Sequence, residues 1–163
     1  IISKQCPIKP LLLGGGQEHG WRAGTENVAA IVGFGKAAEL AAAELSARTD
    51  HLIRLKQALE TGLKEISGIT IFSDKAPRLP NTTLFAIAGT DGEMLLMKLD
   101  QKGIAVSSGS ACASGGGKPS PVLKAMEVSE VTMKASVRIS LGKDNTEAEV
   151  HEFLMQLKQL LPP

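Results

Sequence analysis

The sequence predicts a two-layer α/β domain, a sheet with flanking helices, joined to a long helix. Short apolar or β-branched runs alternate with helical segments, and no repeat period links them. Residues 26–67 form one long stretch rich in Ala, Leu, Lys and Glu, which are good helix formers. With 163 residues, 43% of them hydrophobic, the chain can bury one sizeable core.

The elements follow in order. Leu11 to Leu13 is a short strand candidate that runs into Gly14-Gly15-Gly16. In the long helix, Leu52, Leu55, Leu59, Leu63 and Ile66 recur at three- and four-residue spacing and share one face, with Gly68 as the stop. Ile69 to Phe72 and Asn81 to Ala88 read as strands on either side of a turn containing Pro77 and Pro80. Thr90 to Glu93 has the form of a capping box, a hydroxyl followed three residues later by a carboxylate, opening a helix through Lys98. Ile104 to Val106 is a third strand candidate. Pro119 suits the first turn of a short helix through Met126. Ser136 to Leu141 is again β-rich, and Thr146 to Glu149 forms a second capping box. It opens a last helix with Val150, Phe153, Leu154, Leu157, Leu160 and Leu161 on its apolar face.

Composition excludes several classes. Lys and Arg number 18 against 17 Asp and Glu, a formal charge of +1 without like-charge blocks, so no nucleic-acid footprint is present. The longest apolar run, Val28 to Phe34, is broken by Gly33 and too short to span a bilayer. The three histidines are scattered and no metal-ligand spacing occurs, so no metal is expected. The two cysteines, Cys6 and Cys112, lie in unlike surroundings and suggest neither a disulfide framework nor a CxxC site. A reducing, cytoplasmic setting is expected, with an organelle stroma or matrix as the alternative. The start, Ile1-Ile2-Ser3, reads like the tail of a strand and suggests a piece of something longer.

Cys112 stands out. It lies in SSGSACASGGGK, 107–118, where eight of twelve residues are Gly or Ser. Small neighbours cannot bury the thiol, and glycines leave the backbone free. About six residues on each side allow a reach of roughly 20 Å when extended, which suits a mobile nucleophile or sulfur carrier. Lys118 could favour the thiolate. Cys6 has the simpler reading of a buried, inert thiol.

Two further segments carry chemistry or plain structure. GGGQEHGWRAGTEN, Gly14 to Asn27, places glycines, a hydroxyl and an arginine ahead of a long helix, an outline of anion binding, yet a structural turn explains it equally. Arg138 lies in an apolar strand-like run, either pointing to solvent or clamping a carboxylate.

Taken together, GGGQEHGWRAGTEN, GIAVSSGSACAS (Gly103 to Ser114), PSPVLKAM (Pro119 to Met126) and SVRISLG (Ser136 to Gly142) resemble the NifS/IscS-like cysteine desulfurases. These form the long-active-loop group of the class-V aminotransferase-like family. The resemblance runs from about Leu11 to the end. It implies that residues 1–25 end the large domain of a fold-type I pyridoxal-phosphate enzyme, that 26–67 are a connecting helix, and that 68–163 are its small C-terminal domain with the cysteine loop 107–118. It further implies a reaction in which Cys112 takes sulfur from L-cysteine as a persulfide while alanine leaves, with pyridoxal 5'-phosphate as cofactor. By the same resemblance Arg138 binds the substrate carboxylate, Thr25 binds the cofactor phosphate of the partner subunit in a homodimer, and Arg22 supports it. A protein acceptor such as an iron–sulfur scaffold would receive the sulfur.

Two departures stand beside it. Glu127 occupies a position where the family usually has glycine. The segments that supply the Schiff-base lysine, the pyridine-nitrogen aspartate and the stacking histidine have no counterpart here, so the chain alone is not expected to desulfurate cysteine. The alternatives are a non-catalytic persulfide carrier or dimerisation fragment, and selenocysteine lyase chemistry on the same scaffold.

Overall fold

The computed structural model describes residues 9–109 and 120–161. The chain divides into two compact units, one up to Leu45 and one from Ser46 onward. In the first, a single-turn 3-10 segment, Gln17–Gly20, precedes helix α1, Val28–Lys64, whose C-terminal part belongs to the second unit. Asn27 caps α1, its side-chain oxygen accepting from the Ala30 N–H at 3.1 Å.

The second unit continues with β1 (Ile69–Ile71), β2 (Thr82–Ile87), α2 (Gly92–Asp100) and β3 (Ser107–Ser108). Then come α3 (Pro121–Ala125), α4 (Glu130–Lys134), β4 (Ser136–Ser140) and α5 (Glu147–Leu160). The strands form one antiparallel sheet in the order β1-β2-β4-β3. Period-two alternation sends Phe85, Ile87, Val137 and Ile139 to one face, where they join Leu55, Leu59 and Leu63 of α1, Leu95 and Leu99 of α2, and Val150, Phe153 and Leu157 of α5. Each fully buried leucine of that stripe contributes about 1.5–3 kcal/mol. This is the expected two-layer α/β arrangement. The opposite face is covered only in part: Ala86 and Ser136 are buried, with the Ser136 hydroxyl donating to Met133 O of α4 at 2.6 Å, whereas Arg138 and Ser140 are exposed.

One polar cluster ties α1 to the sheet. Glu60 accepts two hydrogen bonds from Arg78, at 2.7 and 2.9 Å, and a third from the Thr83 hydroxyl at 2.8 Å. Burial pushes the Glu60 carboxyl up, but the Arg78 and Thr83 hydrogen bonds and the charges of Arg78 and Lys56 outweigh it and hold the group below its ordinary value.

Several sequence expectations change. Leu11 to Leu13 is not a strand: Leu11 and Leu13 are 92% and 83% exposed, and no neighbouring strand is present among the described residues. Ile104 to Val106 is not a strand either, because ladder pairing with β4 begins only at Ser107. The cap of α2 is Asp91, which accepts from the Glu93 and Met94 amides. Thr90 turns back instead and donates to Ile87 O. Helix α3 starts at Pro121 with Ser120 as its cap, and Pro119 lies outside the described residues. Helix α4, five residues long, has no sequence counterpart above. The Thr146–Glu149 capping box forms as expected. The Thr146 backbone N–H and the Asn145 amide hold the Glu149 carboxyl below its ordinary value.

Candidate functional site

The strand edge that carries the cysteine segment is built by a short ladder. Ser107 pairs with Arg138 and Ser108 with Val137, and the Gly109 N–H donates to Ser136 O at 2.8 Å. Glycine is required at 109 because a Cβ there would collide with the Ser136 side chain. On the far side of the segment the Ser120 hydroxyl accepts from the Leu123 amide. Residues 110–119 are therefore bracketed by two fixed points, one of them two residues past the partner of Arg138. Cys112 and Lys118 fall in that stretch and Cys6 near the start, all outside the described residues.

Arg138 sits at the centre of the uncovered face. Its ladder neighbours are Leu84 on β2 and Ser107 on β3, and Ser136 and Ser140 flank it two residues away on the same face. Its side chain is exposed, and among the described residues its guanidinium has no hydrogen-bond or ion-pair partner. A cation framed by hydroxyl-bearing side chains can receive a carboxylate with both prongs of its fork.

The glycine-rich segment is held by its own side chains. Arg22 Nη1 donates to the carbonyls of Gly24 and Thr25 at 3.2 and 2.7 Å, and Gln17 Oε1 accepts from the Gly24 amide at 3.2 Å. Gly24 has φ +95°, while Glu18 and His19 adopt left-handed φ of 52° and 58° without being glycine. The anion-binding outline narrows accordingly: Asn27 already serves the Ala30 amide, and Arg22 Nη1 is engaged with the Gly24 and Thr25 carbonyls. Thr25 remains exposed, with no partner for its hydroxyl among the described residues. This fits one hydroxyl donor to a phosphate, with Arg22 shaping the turn behind it. Among the described residues no group of three His, Cys, Asp or Glu could hold a metal, and no helix is long and apolar enough to cross a membrane.

Residues 8–153 match the model of the aminotransferase class-V family. The chain belongs to that family. The class-V aminotransferases bind pyridoxal phosphate. Among curated relatives, the cysteine desulfurase of Rhodobacter capsulatus is 44% identical over 160 residues, covering 98% of this chain and 42% of the relative. That of Bradyrhizobium diazoefficiens is 42% identical over 160 residues, 98% of this chain and 41% of the relative. Among solved structures, a NifS-like protein from Rickettsia africae superposes with a TM-score of 0.80 at 39% identity, covering 94% of this chain and 40% of that one. The chain thus spans about two fifths of the length of these class-V relatives.

The family match spans the turn after α3. Glu127, at the position where glycine was expected from the resemblance, has φ +58°, a conformation that favours glycine, so the backbone keeps the shape and the side chain is strained. Sequence reasoning missed Ser107 and Ser136 as site-building residues. The Gly-Ser composition of 107–118 concealed that its first three residues are fixed to β4.

Proposed function

We propose that this chain is the C-terminal part of a pyridoxal-phosphate-dependent cysteine desulfurase. Residues 1–25 would end the large domain, 26–67 would connect, and 68–163 would form the small domain. The observation that carries the reading is the register of Ser107 with Arg138, which puts the root of the Cys112 segment beside an exposed arginine whose guanidinium has no partner among the described residues. Arg138 binds the carboxylate of L-cysteine and so fixes where the substrate sulfur points. Cys112, tethered within roughly 20 Å of Ser107, reaches that sulfur and carries it away. L-Cysteine and the thiol give L-alanine and the persulfide, the carbon–sulfur bond breaking as the sulfur–sulfur bond forms, with no outside oxidant or reductant. The bound cofactor supplies an electron sink for the substrate carbons.

Thr25 donates its hydroxyl to the cofactor phosphate of the partner subunit in a homodimer, with Arg22 holding the turn. Exposed apolar residues on α1, Val28, Ile31, Val32 and Phe34, support a protein partner for that unit. By itself the chain would not turn over cysteine, since the Schiff-base lysine segment lies outside it. A segment this rich in Gly and Ser suits delivery to a protein acceptor such as an iron–sulfur scaffold, in the cytoplasm. The test is Cys112→Ser in the complete protein: cofactor absorbance stays and sulfide and alanine release from cysteine are lost. Undiminished turnover removes Cys112 from the mechanism, and faster alanine release from selenocysteine with Cys112→Ser active would favour the lyase.

A further inference from the structure

Arg138 has unlike neighbours on its two sides. Toward β2 it faces Leu84, a half-buried apolar side chain, and toward β3 it faces Ser107, half-buried and bearing a hydroxyl. The bond from Gly109 N–H to Ser136 O sets the phase of the β3–β4 ladder, so Ser107 and Arg138, one step further along it, are a hydrogen-bonded pair. Residues paired in this way put their Cβ atoms about 4.5–5.5 Å apart on one face of the sheet.

The other hydroxyls around Arg138 are engaged or farther off. Ser136 is buried and donates to Met133 O at 2.6 Å, and Thr82 donates to Asn81 Oδ1 at 3.3 Å. Ser140 lies two residues along the same strand, about 6.5–7 Å away at the usual rise. The Ser107 hydroxyl has no partner among the described residues. A carboxylate offers about four lone-pair positions, and a guanidinium fork takes two of them. The others call for a donor beside the fork, which Leu84 lacks and Ser107 has.

We propose that Ser107 is the second donor to the substrate carboxylate. Its hydroxyl bonds the lone pair that Arg138 leaves open, so the carboxylate bridges β4 and β3 and sits on the β3 side of Arg138, away from Leu84. The inference rests on the reading of Arg138 as the carboxylate site and adds to it a donor and a direction. Because β3 is the strand that runs into the cysteine segment, a bound carboxylate also ties the root of that segment to β4.

The test uses the complete, cofactor-loaded protein and needs no sulfur transfer. Cofactor absorbance is titrated with L-alanine and, separately, with ethylamine, the same molecule without its carboxylate. Ser107→Ala should weaken L-alanine binding about 10-fold, the loss of one hydrogen bond to a charged group, and leave ethylamine binding unchanged. Ser107→Thr keeps the hydroxyl in a residue that suits a strand and should recover most of the loss. In an Arg138→Ala background the further effect of Ser107→Ala should shrink to less than about 3-fold, because the two donors hold one group. If Arg138→Ala weakens L-alanine binding and Ser107→Ala does not, this proposal is overturned and the reading of Arg138 stands. Equal losses for L-alanine and ethylamine, the mark of a displaced strand, would also overturn it, as would a threonine variant no better than alanine. L-Alanine binding untouched by Arg138→Ala would remove the carboxylate site itself, and this proposal with it.

Discussion

Ser107 and Arg138 face each other across the two-residue ladder between β3 and β4, so the strand that leads into the cysteine segment is hydrogen-bonded to the strand that carries the arginine. The root of the cysteine segment and Arg138 thus share one sheet edge, and displacement of either strand moves both.

Arg138→Ala in the complete protein should raise the KM for cysteine by about 10- to 100-fold, since a lost charged hydrogen-bond pair costs about 1.5–3 kcal/mol. The cofactor spectrum should stay as it is. Arg138→Lys should recover part of the loss, because the charge remains and the planar fork does not. Steady-state alanine release against cysteine concentration checks both.

Glu60→Gln should destabilise the protein by about 1–3 kcal/mol, because Arg78 loses the carboxylate it is hydrogen-bonded to and keeps only the charge of Asp74 nearby. Both side chains of the pair are mostly buried, 14% and 17% exposed, so solvent screens little. The folded carboxyl is depressed, so its contribution is fully present above the unfolded value near 4.3 and is lost as pH falls through the lower folded value. The stability gap between wild type and Glu60→Gln should be flat from about pH 6 to 8 and close in acid. Urea unfolding across pH measures it.

Gly92→Ala places a Cβ 2.7 Å from Ser136 O and 2.8 Å from Lys134 O, both backbone atoms that cannot turn aside. The crowding should cost about 1–3 kcal/mol and exceed the helix-propensity gain of about 1 kcal/mol. A lower Tm for Gly92→Ala checks the packing of α2 against the start of β4.

Glu127→Gly should stabilise by about 1 kcal/mol, because φ +58° costs a side-chain-bearing residue more than it costs glycine. Glu127→Val, β-branched at the same φ, should lower the Tm.

Sequence reading succeeded where the signal was local. The stripe of Leu55, Leu59 and Leu63 repeats on one helix face, and Thr146 and Glu149 close a capping box within four residues, so both were visible without a third dimension. Asp91 in place of Thr90 at the cap of α2 was not, since both offer an oxygen and only the extended backbone of Asp91 decides between them. Helix α4 is too short to show a period. The pairing of Glu60 with Arg78 and the register of Ser107 with Arg138 join positions far apart in the chain, and composition says nothing of either. Arg138 could be singled out as a cation in an apolar strand, but its exposure beside the cysteine segment came only from the sheet.

The most direct test of the central proposal, that Cys112 receives the sulfur, is intact and peptide mass spectrometry of the complete, cofactor-loaded protein after one turnover with L-cysteine and alkylation. The account predicts one added sulfur on the peptide containing Cys112 and none on that containing Cys6, with one alanine released per persulfide. Alanine release with an unmodified Cys112, or with the sulfur carried on Cys6, would contradict it.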